Sequence, residues 1–168
     1  MISTTVAEPT PYFGNPLDLV EEIVAANDWT HDRLSEEELA VEISGRWCDY
    51  RLDFLWQEEL GLMHFSCALD IKLPKRRRTA AHELLALVNE KIWIGHFDLT
   101  GDNDSPAYRH GVLLRGVPGL SIEQIEDLIE IALSECERFY PAFHLVFADG
   151  KPADQALAAA MIDPVAEA

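Results

Sequence analysis

The densest group of chemically capable side chains in this sequence is cationic. Lys72, Lys75, Arg76, Arg77 and Arg78 place five of the chain's thirteen Lys and Arg within seven residues. Guanidinium and ammonium groups at that density can hold a phosphate or an acidic partner. They can equally stay solvated, or pair with acids of the same molecule or of a second subunit. Other residues of catalytic type do not fall into a working spacing. His82-Glu83 opens like the zinc-peptidase helix motif, but the second His must follow four residues after the first, and position 86 is Ala. Asp98, Thr100, Asp102 and Asp104 place oxygens at alternate positions, as a calcium loop does. The glycine and the bidentate glutamate that such a loop requires are replaced by Asn103 and Arg109. The six histidines are scattered and never stand at ligand spacing with a cysteine, so neither a metal nor another cofactor is expected. Cys48, Cys67 and Cys136 fall on apolar faces, where a buried, inert thiol is the expectation. There is no GxSxG, no Gly-rich phosphate loop and no GxGxxG. No catalytic residue is assigned, and carboxylates are too abundant for any two to be singled out as an acid–base pair.

The elements that would position these groups follow from hydrophobic periodicity. Asn15-Pro16 reads as an N-cap with proline at the first helical position, and Leu17, Val20, Ile23 and Val24 follow at helical spacing until Asn27-Asp28. Trp29 to Leu34 can form a short strand. Leu39, Val41 and Ile43 then share one face of a strand. Cys48, Tyr50, Leu52, Phe54 and Trp56 share the face of a second, and Met63, Phe65, Cys67, Leu69, Ile71 and Leu73 that of a third. This period-two alternation predicts an antiparallel meander with one solvated face, carrying His64, Asp49 and Asp53. After Pro74 the spacing of Ala81, Leu84, Leu85, Val88 and Ile92 predicts a helix from about Lys75 to Ile92. A second strand pair, Gly95 to Leu99 and Tyr108 to Arg115, flanks the turn-rich Gly101 to Pro106. Ser121 with Gln124 has the capping-box spacing, and Ile122, Ile125, Ile129, Ala132, Cys136 and Phe139 line the helix that follows. Pro141 is expected to stop or kink that helix, and Asp154 to Met161 to make a last helical turn or two.

Composition bounds the rest. The chain has 168 residues, of which 48% are hydrophobic, enough for one domain with a sizeable core. Its formal charge of -17 disfavours nucleic acid and anionic lipid as partners outside the basic cluster. Three cysteines without a CxxC spacing suit a reducing cytosol. No basic leader and no long apolar stretch is visible, so the expected compartment is the cytoplasm, with no membrane contact. Residues 1–14 are expected to form a flexible arm, 15–162 a single domain, and 163–168 a frayed end.

Several stretches carry a resemblance: Asn15-Pro16-Leu17-Asp18-Leu19-Val20-Glu21, Leu73-Pro74, Asn89-Glu90-Lys91-Ile92-Trp93-Ile94-Gly95-His96-Phe97, and Arg138-Phe139-Tyr140-Pro141-Ala142. Over about residues 15 to 160 the chain resembles the YbjN family, described as bacterial sensory transduction regulators. The resemblance implies an α+β fold like that of type III secretion chaperones: an antiparallel sheet, a meander plus a second strand pair, flanked by three main helices, often in a homodimer. It supplies no catalytic residues. The function expected is therefore that of a non-enzymatic protein-binding adaptor or regulator, with Lys75, Arg76, Arg77 and Arg78 as contacts for a partner or an anion. Two alternatives stay open: a nucleic-acid-associated regulator that uses those cations, or an enzyme whose site is assembled from distant carboxylates and histidines.

Overall fold

The computed structural model describes residues 14–100 and 104–162. The expected arm, apart from Gly14, the expected frayed end at 163–168 and turn residues 101–103 lie outside the described residues. The elements are α1 (Pro16–Ala26), β1 (Thr30–Ser35), β2 (Glu38–Ser44), β3 (Asp49–Gln57), β4 (Leu62–Ala68), α2 (Arg78–Asn89), β5 (His96–Thr100), β6 (Ser105–Leu113), α3 (Ile122–Phe147) and α4 (Ala153–Met161).

The six strands form one sheet in the order β1-β2-β3-β4-β6-β5, and every neighbouring pair is antiparallel. The fold is thus α+β, with β5 outermost beyond β6. The register stacks Val41, Leu52, Cys67, Tyr108 and Phe97 in one row across the sheet, and all five are buried. Side chains alternate along each strand, so the opposite face receives the row Ala40, Asp53, Ser66, Arg109 and His96. The strand phases read from the sequence hold for β2, β3 and β4. Of the polar residues expected to be exposed, Asp49 is, whereas His64 and Asp53 are half-buried among their cross-strand neighbours.

The helices cover only the buried-row face. Asn15 Oδ1 accepts the Leu17 N–H at 2.9 Å and starts α1. Arg33 on β1 reaches α1 through Asp18 at 3.2 Å and Glu21 at 3.0 Å. α3 lies over β4 and β6, α2 packs beside β5, and α4 rests on α2 and α3. Phe97 meets Phe139 and Phe143 of α3 and Tyr108 of β6 ring to ring, at centroid distances of 5.3 to 5.9 Å.

Several expectations need correction. Pro141 does not stop α3, which runs on to Phe147. Proline removes the N–H that the Glu137 carbonyl would accept one turn back. Here the Trp47 indole N–H, from the turn between β2 and β3, donates to that carbonyl at 3.2 Å. The helix therefore continues with its orphaned acceptor satisfied from outside. The capping box at Ser121 and Gln124 is present, but Ile122 is 50% exposed instead of inward, because the buried stripe begins at Ile125. The second helix is preceded by a single 3-10 turn over Lys75–Arg77 and ends at Asn89, short of Ile92. β4 ends at Ala68, although Leu69 and Leu73 beyond it are still buried. β6 begins at Ser105, three residues before the expected Tyr108.

Candidate interaction surfaces

The basic cluster sits on the turn between Leu73 and α2. Leu73 is buried in the core, and Pro74 restricts the backbone that follows it. The Arg77 N–H donates to Pro74 O at 2.8 Å and closes the turn. The structure then divides the cluster. Arg77 folds back over the α3–α4 connection and donates to Gly150 O at 3.3 Å. Gly150 has φ +67, and a Cβ there would collide with the Arg77 guanidinium. Arg78 pairs with Asp104 at 2.7 Å. The side chains of Lys72, Lys75 and Arg76 are left exposed, with no ion-pair partner among the described residues. Of the four cations expected to make contacts, Arg77 and Arg78 are thus paired within the molecule, while Lys75 and Arg76 have no ion-pair partner among the described residues.

A second surface is the sheet face that no helix of the described residues covers. A groove of about 590 Å³ runs across β3, β4, β6 and β5, lined among others by Asp53, Leu55, His64, His96, Arg109 and Gly111. Its charged groups are largely paired, Arg51 with Asp53 at 3.0 Å and Arg109 with Asp98 at 3.2 Å. At one end the register brings together Leu62 and Leu113, near Leu55 of the adjoining row. Leu55 is 41% and Leu113 72% exposed.

Beside this face the connection from α2 to β5 displays Trp93 with 99% of its surface exposed, next to the exposed Ile94. The loop is clamped at both ends. Asn89 Nδ2 donates to Phe97 O at 3.0 Å, and its Oδ1 accepts the Phe97 N–H at 2.8 Å. The Tyr108 hydroxyl donates to Ile94 O at 2.5 Å. Gly95 takes φ +72, and a side chain there would strike the Tyr108 ring. Burial pushes the Tyr108 phenol up to about 12, so it remains a donor at any physiological pH. The Asn89 clamp also occupies outward backbone groups of β5, which blunts that sheet edge against strand addition. Three of the four tryptophans have very different surroundings. Trp56 is buried, Trp47 stacks on Tyr140 at 5.9 Å, and Trp93 projects into solvent. The sequence carried a signal for this, since 93 lies off the stripe formed by 81, 84, 85, 88 and 92.

The residues of catalytic type singled out in the sequence are dispersed in the structure. Cys67 and Cys136, distant in sequence, meet in the core, with Cys136 Sγ 3.7 Å from Cys67 O. The Cys67 neighbour and burial push the Cys136 thiol up, and burial pushes up that of half-buried Cys48, which disfavours the nucleophilic thiolate form at both. Burial, and then the nearby His96, hold His110 below its ordinary 6.5. His82 is exposed on α2. The calcium-like run is dispersed: Asp98 pairs with Arg109 and Asp104 with Arg78. Among the described residues no group of three or more His, Cys, Asp or Glu is placed to hold a metal ion, and no helix is long and apolar enough to cross a membrane.

Comparison with known proteins agrees with this architecture. Residues 16–145 match the family model "YbjN: Putative bacterial sensory transduction regulator". The structure is similar to the "Crystal structure of YbjN, a putative transcription regulator from E. coli", with a TM-score of 0.51 at 12% identity, covering 85% of this chain and 90% of that one. None of the curated proteins compared matches the sequence.

Proposed function

The chain belongs to the YbjN family, and from that premise we propose that it acts as a non-enzymatic regulator or chaperone-like adaptor in the cytoplasm, binding another protein through the open sheet face and the loop of Trp93. The observation that carries this reading is Trp93 itself. A tryptophan almost wholly in water, on a loop held by three side-chain hydrogen bonds, buries a large area on contact while losing little further freedom. Leu55 and Leu113 add exposed apolar area on the open sheet face. A homodimer is the simplest such assembly, because a two-fold axis lets one patch cover its own copy.

The test is affinity capture from native cytosol with the wild-type chain and with Trp93→Ala, followed by titration of each captured protein in pure form. Sedimentation of both variants reports self-pairing. The reading expects a protein, or a second copy, that is retained by the wild type and lost by Trp93→Ala with the fold unchanged. Equal retention by both would refute it.

A further inference from the structure

We propose that Lys72, Lys75 and Arg76 form a docking platform for an acidic segment of a partner protein, a run of Asp and Glu carboxylates. The kind of partner rests on the protein-binding reading above, whereas the evidence comes from a different surface. The division of the basic cluster is the central observation. If all five cations served the fold, each would be expected to find an internal acceptor. Two do, Arg77 on Gly150 O and Arg78 on Asp104. The other three point into solvent with no ion-pair partner among the described residues, on a molecule where the remaining eight cations face thirty acids.

Their position works against folding. They precede α2, whose first turn holds no acidic residue and whose N-cap, Arg77, makes no side-chain cap bond. Lys75 and Arg76, on the turn that leads into α2, are disfavoured at the positive end of the helix, and Lys72 adds a like charge three residues before Lys75. An anionic group arriving from outside relieves both costs. The platform is also preformed. Buried Leu73, Pro74, the 3-10 turn and the Arg77 contact with Gly150 fix the backbone from which the three side chains project, so little main-chain freedom is lost on binding.

The overall charge selects the class of anion. A nucleic acid needs a continuous cationic track along its backbone. Outside the cluster eight cations face thirty acids, too few for such a track, whereas a short acidic segment needs only the three.

The experiment is a titration of the whole chain at low ionic strength with three labelled probes: a polyglutamate peptide, a phosphoserine peptide of equal length, and a DNA duplex of matched charge. Each is measured against wild type, against Lys72→Gln/Lys75→Gln/Arg76→Gln, and against the control Lys91→Gln/Arg115→Gln, which removes two exposed cations elsewhere. Peptide affinity should fall roughly tenfold or more in the triple variant and stay within about twofold in the control. Polyglutamate should bind at least as tightly as the phosphoserine peptide, and a clear preference for the phosphoserine peptide would overturn the choice of carboxylates. A duplex that binds more tightly than both peptides would overturn the choice of a protein partner. Absence of peptide binding, or equal losses in both variants, would overturn the platform. Capture that depends on Trp93 is unaffected by either failure, so the two readings fail separately.

Discussion

The two faces of the sheet are built from the same strands by residues one position apart, and they obey different rules. On the covered face Leu52, Phe54, Phe65, Cys67, Phe97 and Tyr108 are all buried. The rows opposite hold Arg51, Asp53, Leu55, His64, Ser66, Arg109 and Leu113, a mixture that neither a core nor a plain solvated surface calls for. The covered face gains by excluding water, so it accepts only apolar residues of fitting volume. The open face is under less of that demand, and Leu113, 72% exposed, gains little from burial in the monomer. Stability belongs to one phase of each strand, and recognition is free to occupy the other.

The largest effect that would test this division comes from the covered side. Phe65 packs against Phe54 at 5.3 Å and is 2% exposed. Phe65→Ala should lower the free energy of unfolding by about 3–5 kcal/mol, read from urea denaturation. A cost near that of a surface change would mean the face is not the core.

Next in size is the clamp that joins the two regimes. Asn89→Ala removes both side-chain bonds to Phe97 and leaves those strand-edge groups bare. The expected loss is about 1–3 kcal/mol, together with faster amide exchange at Phe97 and greater aggregation on storage. Unchanged exchange at Phe97 would show that the loop is held by other contacts.

On the open face, Leu55→Asp with Leu113→Asp should shift stability by less than about 0.5 kcal/mol, while partner capture or self-association falls sharply. A large stability loss would instead assign those leucines to the fold.

The smallest effect is a change of slope with pH. His110 is held below 6.5 by burial and by His96. As pH falls, the unfolded chain takes up its proton first. The stability that comes from keeping His110 neutral is therefore complete above about pH 6.5 and declines as pH drops from there through the folded value. His110→Gln should flatten urea midpoints across that window. An unaltered slope would place the titration elsewhere.

How much of this was legible beforehand depends on the range of the interaction. The strand phases, the Asn15 cap and the Ser121 capping box could be read because each is decided within a few residues, by alternation or by one local hydrogen bond. The passage of α3 through Pro141 could not be read. Its orphaned carbonyl is satisfied by Trp47, ninety residues away in sequence. The β4–β6 pairing that puts β5 on the outside was equally hidden, since no local pattern reports which strand neighbours which.

The candidate surfaces divide along the same line. The sequence by itself showed that five cations crowd into seven residues of an acidic chain. Only the tertiary structure decided which cations were spent, by bringing Gly150 to Arg77 and Asp104 to Arg78. Only it left Trp93 in water, by pinning Asn89 to Phe97 and Tyr108 to Ile94. The physical reason is common to both. Composition and period specify what a side chain can do, whereas burial and pairing depend on which distant segment arrives beside it, and that is settled by packing the whole chain at once.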